Sequence, residues 1–219
     1  MTPFDTLLSR IRPLARQDYQ WDTWTIHQDR DAADTGYRDR LYGLSEAQAF
    51  VVCLAMAETI VAGIGQHDPE NWIRDYVLSA WAGFSHTTDP RYFETDDNDW
   101  RGPQREMLAL TLIVVNDALF CRDEREGIAY RADWLLFYAQ KLYAHLSTFG
   151  DWCEALVSRL EALGKGPEDT PVESNDLPLC PGYSRRFLDL DKAYDEATET
   201  ASLEADLDRW KRDGNLFLT

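Results

Sequence analysis

The residues best suited to chemistry in this chain are carboxylates. Glu58 stands inside the longest apolar run, Ser45 to Gln66, SEAQAFVVCLAMAETIVAGIGQ. A carboxylate among apolar neighbours needs a cationic or hydrogen-bonding partner, or it must hold its proton. Two roles fit: a buried acid in a site, or one half of a structural pair with an Arg or Tyr from the next helix. Pairing is the plainer role, because one acid alone is not a catalytic constellation. A second group, Asp96-Asp97-Asn98-Asp99, has the oxygen chemistry that Mg²⁺ or Ca²⁺ prefers. It lacks the glycine and the twelfth-position Glu of an EF-hand loop, so a solvated acidic loop explains it more simply.

His67-Asp68 resembles, in two letters, the metal-binding pair of the helical HD-type phosphohydrolases. That family also needs an upstream His and a downstream Asp, for which His27 and several aspartates can be nominated. The resemblance implies a metal-assisted hydrolase site around His67 and Asp68. Pro69 follows at once, however, and helix capping accounts for Asp68 without a metal. His145 falls on an apolar face with Trp134 and Leu142, the pattern of a core histidine. The chain has no G-x-S-x-G, H-E-x-x-H, P-loop or dinucleotide fingerprint. We therefore assign no catalytic residue, no metal and no cofactor from the sequence. The cysteines at 53, 121, 153 and 180 form no C-x-x-C pair. Three of them sit beside apolar residues and read as small core hydrophobes in a reducing compartment. The opening MTPFDTLLSR carries Asp5 and no apolar h-region, unlike a signal peptide, so the expected location is cytoplasmic.

Helices must position these residues. Ser45 with Gln48 fits a capping box, and the following apolar run reads as the central helix of a bundle. The run is long enough to cross a bilayer, but Glu46, Gln48, Glu58 and Thr59 and its many small residues argue for a soluble core. Its Ala and Gly positions would let neighbours approach closely. Thr2-Pro3 opens a first helix that Pro13 kinks or ends. Residues 17–43 read as a short helix or irregular segment, a turn at Thr35-Gly36 and a further helical turn. Asp68 as N-cap and Pro69 at the first helical position predict a helix over 69–85, with Trp72, Ile73, Tyr76, Val77, Ala80, Trp81 and Phe84 on one face. Pro103 opens another that runs to Cys121. Its TLIVV run is strand-like, but the length of the apolar segment favours a helix. A helix is expected over 128–149, and Asp151 with Glu154 suggests a capping box for the next, which Gly164 ends. Residues 165–186 form a polar connector, residues 187–213 an acidic helix or helix pair, and NLFLT a tail that folds back.

The expected fold is all-α: one domain, a bundle of about six to eight mostly antiparallel helices. Residues 1–43 supply N-terminal helices, 44–164 the core bundle, and 165–219 an acidic connector and a C-terminal helix packing on the body. The central helix is expected to pack against the 69–85 and 103–121 helices.

Function is read from the exterior. The chain has 219 residues, a net charge of −17 and 8 Trp. Such a surface repels nucleic acid and anionic membranes and attracts basic proteins. The stretch 86–102 is polar, aromatic and without helical period, and loops of that length are often functional. Tyr92, Phe93, Glu94, Asp96, Asp97, Asp99 and Trp100 are the candidate partner-binding residues: acids to steer, aromatics to anchor. These features suit an acidic inhibitor, most sharply an immunity protein or antitoxin bound to a basic toxin that acts on nucleic acid or nucleotides. The alternatives are the metal-assisted hydrolase and a helical scaffold or adaptor that self-associates, as a homodimer, through its apolar tail.

Overall fold

Helix-start chemistry decides where the first and central elements begin. The computed structural model describes residues 2–16, 34–93, 100, 102–121, 127–164 and 182–219. At Thr2 the side chain accepts from the Asp5 N–H and the Asp5 carboxylate accepts from the Thr2 N–H, both at 3.1 Å, which starts α1 (Pro3–Ile11). Pro13 then tightens the chain into a 3₁₀ turn, Arg12–Leu14. Ser45 and Gln48 make the expected reciprocal box at the start of α3 (Glu46–Ile64). Between them lies α2 (Arg38–Gly43), after a turn in which Gly36, at φ 77, donates its N–H to Asp34.

The remaining helices are α4 (Trp72–Ser79), α5 (Pro103–Phe120), α6 (Gly127–Tyr143), α7 (Ser147–Leu163) and α8 (Glu196–Arg212). The product is an all-α multi-helix bundle. Among the described residues there is no strand, only an isolated antiparallel bridge between Pro90 and Leu218.

Helix α3 is the hub. Only Glu46, Val61 and Ala62 along it escape burial. The Glu46–His67 stretch is long and apolar enough to span a membrane, but 89 % of its most apolar window is buried inside the fold. Protein covers its apolar surface where lipid would. Phe50, Leu54 and Ile60 are fully shielded, each worth about 2 kcal/mol of transfer free energy. The helix does pack on α4 and α5, but its most extensive neighbour is α6. Small residues explain the preference. A Cβ on Gly63 would overlap the hydroxyl of Tyr143, which sits against α3 and donates to the Thr59 carbonyl at 3.1 Å.

Three expected boundaries move. The 69–85 helix begins at Trp72, because Pro69 and Glu70 form a turn and Asn71 takes the left-handed conformation at φ 58. From Ala80 to Phe84 it tightens into a 3₁₀ helix. The 128–149 helix ends at Tyr143, and α7 starts at Ser147. Asp151 therefore lies inside α7 rather than capping it. Glu154 instead accepts from Arg40 at 2.8 Å, and Arg40 also meets Glu161, tying α2 to α7. His145 falls in the turn between α6 and α7 and is exposed, so it is not a core histidine. Gly164 does end α7, at φ 70.

The C-terminal segment is fastened by polar contacts. Asp189, buried, accepts from the Phe4 N–H at 2.8 Å. Arg159 donates to the Phe187 and Asp189 carbonyls and lies over the Phe187 ring. Buried Glu199 on α8 accepts from Ser184 and pairs with Arg186. The tail folds back as expected: Arg91 donates to the Phe217 carbonyl at 2.8 Å, and Asn215 donates to the Asp75 carbonyl at 2.7 Å.

Candidate functional site

Glu58 has its partners. It lies on α3, where the neighbouring turns are apolar, and it is 7 % exposed. Trp81 Nε1 donates to Glu58 Oε1 at 3.0 Å, and Arg185 Nε donates to Glu58 Oε2 at 2.7 Å. Arg185 reaches on with Nη2 to Asp5 Oδ1, also at 2.7 Å, and its guanidinium lies 5.2 Å from the centre of the Phe4 ring. Burial works against the Arg185 charge, but Glu58 and Asp5 outweigh it and hold the guanidinium above its ordinary pKa. For Asp5, burial raises the pKa, while Arg185 and the Thr2 N–H overcome that and leave it lowered. Both Glu58 oxygens are thus engaged in structure. The arginine comes from the 3₁₀ turn Arg185–Leu188, not from the next helix in sequence. Its only signal in the sequence is the Arg185-Arg186 pair standing in an acidic C-terminal third.

Beside this cluster opens a cleft of about 1090 Å³, walled by α1, the end of α3, α4 and the end of α8. Its carboxylates are Asp5, Glu58, Asp68, Glu70, Asp75 and Asp213. Its arginines are Arg12, Arg74, Arg185 and Arg209. Arg185 is committed to Glu58 and Asp5, and Arg209 pairs with Asp206 at 2.7 Å. The balance left in the cleft is negative.

Asp68 is the unusual member. It caps α4 from a distance: its Oδ2 accepts from the Ile73 N–H at 2.7 Å, across the turn that Asn71 closes. The residue is 3 % exposed, and its Oδ1 is buried with no hydrogen-bond partner among the described residues. Burial pushes the Asp68 pKa up, against the pull of the Ile73 and Trp72 N–H groups. Burial also raises Asp75, with a further push from Asp68. His67 belongs to the 3₁₀ turn Gly65–His67, and its ring reaches the Gln66 side chain. Among the described residues no group of three or more His, Cys, Asp or Glu is arranged to hold a metal ion.

The candidate partner-binding residues separate. Tyr92 is 55 % exposed, edge-on to Phe120. Phe93 is half-buried among Trp72, Tyr76 and Phe217, with ring centres 6.1, 6.0 and 4.9 Å away. Its N–H donates to Asn116 at 3.4 Å, and Asn116 also accepts from the Tyr76 hydroxyl. Trp100 is 5 % exposed, with the Arg105 guanidinium 5.0 Å from its ring centre. Of the three aromatic candidates, Trp100 is shielded in the core, Phe93 packs on the tail residue Phe217, and Tyr92 is exposed. Glu94, Asp96, Asp97 and Asp99 lie outside the described residues.

Two exposed apolar residues are absent from the candidate set, and one of them, Trp72, meets Phe93 edge-on. Trp72 is 43 % exposed and follows the cleft residue Asn71; Leu216 is 70 % exposed and follows the cleft residue Asn215. The sequence placed Trp72 on the buried face of its helix. It stands at the first position of the helix, with its ring against Phe93 and much of it in solvent. Comparison with protein-family models, curated proteins and solved structures finds no match for this chain.

Proposed function

We propose that this chain is an acidic binding protein that neutralises a basic partner in the cytoplasm, as an immunity protein or antitoxin neutralises a toxin. The observation that carries the reading is the junction of two surfaces. A carboxylate-rich cleft is flanked by the exposed apolar side chains Trp72 and Leu216, each next in the chain to a cleft residue. Charge draws a basic protein in, and aromatic side chains supply the contact energy that holds it. The engagement of both Glu58 oxygens in structural contacts supports binding over acid chemistry at that residue. A partner that attacks nucleic acid or nucleotides carries the basic surface that this chain complements.

The test is affinity capture from the native host with the tagged full chain, followed by mass spectrometry. The expected result is one basic protein whose association slows as salt is raised, as steering across a Debye length requires. An acidic partner, or a salt-independent association rate, overturns the reading.

A further inference from the structure

Among the described residues Asp68 Oδ1 is buried without a donor, which a folded protein rarely tolerates, and the Arg105 charge acts on the carboxylate without a hydrogen bond to it. The residue lines the cleft, next to Glu70 and near enough to Asp75 for the two charges to raise one another's cost. Neither Glu70 nor Asp75 forms an ion pair among the described residues, and Arg74 is the cation closest to Asp75 in effect. The floor of the cleft is thus a set of acceptors held in place by a helix start, with one acceptor unserved.

We propose that this floor is the recognition site for an arginine side chain on an extended basic segment of the partner, with Asp68 as its anchor. The inference rests on the binding-protein reading and names the group that reading leaves open. A guanidinium suits the floor for three reasons. Its planar fork can serve Asp68 Oδ1 and a second carboxylate with N–H donors fixed in one plane, where an ammonium offers three donors on a flexible, strongly hydrated point charge. It stays charged when desolvated, so it can enter beside a shielded carboxylate. The ligand set needed for a metal ion is not assembled among the described residues. The cleft volume of about 1090 Å³ is enough for a peptide segment, and the exposed Trp72, next in the chain to the cleft residue Asn71, extends the surface beyond it.

The test uses the full chain, labelled with ¹⁵N, and three blocked pentapeptides: Ala-Ala-Xaa-Ala-Ala with arginine, lysine or citrulline at the centre. The arginine peptide should shift the Trp72 and Ile73 amide signals saturably. Lysine should bind more weakly, and the neutral citrulline should not shift them. Asp68→Asn should weaken arginine binding at least tenfold, and Asp75→Asn by a smaller factor. Asp208→Asn, on an exposed part of α8, should leave it unchanged. Equal losses from Asp68→Asn and Asp208→Asn would mean diffuse attraction only and would overturn the proposal. So would shifts mapping away from Trp72 and Ile73, or an affinity that Asp68→Asn does not change, which would leave the orphan oxygen to water. The wider reading fails separately: capture from the host can return no basic partner even where the peptide binds.

Discussion

Arg185 and Glu58 are 127 residues apart in sequence and meet through an Nε–Oε2 contact of 2.7 Å. The contact joins a 3₁₀ turn of the C-terminal segment to the hub helix, and Asp5 brings the first helix to the same guanidinium. Removing Arg185 leaves a shielded carboxylate with Trp81 as its remaining donor among the described residues. Arg185→Ala should cost about 3 kcal/mol, the lower end for a broken buried pair because the arginine keeps some solvent contact. Glu58→Gln should cost less, since its amide still pairs with Trp81 or Arg185. Urea midpoints of the two single variants and the double variant give the coupling. A loss under 0.5 kcal/mol for Arg185→Ala would show the contact to be incidental.

Acid titration should act on two groups of carboxylates in opposite senses. The folded Asp5 has a lowered pKa, so its contribution is present above about pH 4. It is lost as pH falls below the ordinary 3.8 toward the folded value. Asp68 and Asp75 have raised pKa values, so they weaken the fold when charged and relieve it as pH falls through the raised values toward 3.8. Asp68→Asn keeps an acceptor for the Ile73 N–H and deletes the buried charge. It should raise Tm by about 2–4 °C at pH 7, equivalent to about 1 kcal/mol, and the gain should vanish near pH 3.5. A variant less stable than wild type at pH 7 would mark Asp68 as a structural cap and nothing more.

Glycine positions give a packing test. Gly63→Ala places a methyl against the Tyr143 hydroxyl and the Ala15 Cβ, and should cost about 1–3 kcal/mol by overpacking. Gly43, at the end of α2, has nothing within 4 Å of an added Cβ. Gly43→Ala should be neutral or stabilise by up to about 1 kcal/mol. Thermal melts of the two variants suffice, and equal melting temperatures would contradict the close approach of α3 and α6.

Binding and folding should separate among the aromatics. Trp72→Ala and Tyr92→Ala remove exposed rings and should weaken a captured partner by about 1–2 kcal/mol each with little change in Tm. Trp100→Ala removes a shielded ring and should lower stability by about 3–5 kcal/mol. Replacing Asp96, Asp97 and Asp99 together by Asn, with Trp100 kept, should slow association without changing the melting point. Calorimetry and stopped-flow association on the same preparations would show the division, and a binding defect confined to Trp100→Ala would reverse it.

These divisions show what the residues alone could convey. Capping boxes are local, so Thr2, Ser45 and Gly164 were readable, and so was the burial of a helix as uniformly apolar as α3. Asp68-Pro69 misled because the pattern of a cap and a first-turn proline also fits a turn ending in a left-handed Asn. One left-handed residue at Asn71 moved the helix start by three positions and left Trp72 at its first position, part-exposed. The cleft was beyond sequence reasoning, since its walls come from both ends of the chain. No local period announces that Arg185 will find Glu58. Nor does the sequence mark the adjacent Arg185 and Arg186 for the two buried carboxylates on which they are spent.

The walls of the cleft also carry a consequence for timing. Asp5 and Arg185 are separated by 180 residues, and Phe4 and Asp189 by 185. Such closures are the slowest kind, because the loop entropy falls due before the contact forms. The hub helices can assemble on a growing chain as each emerges. The cleft cannot, because Arg209, Asp213 and Asn215 are made after every hub helix. A nascent chain that has not yet reached Arg185 would hold Asp5 and Glu58 without their shared cation, so the buried acid of the hub helix is neutralised only late.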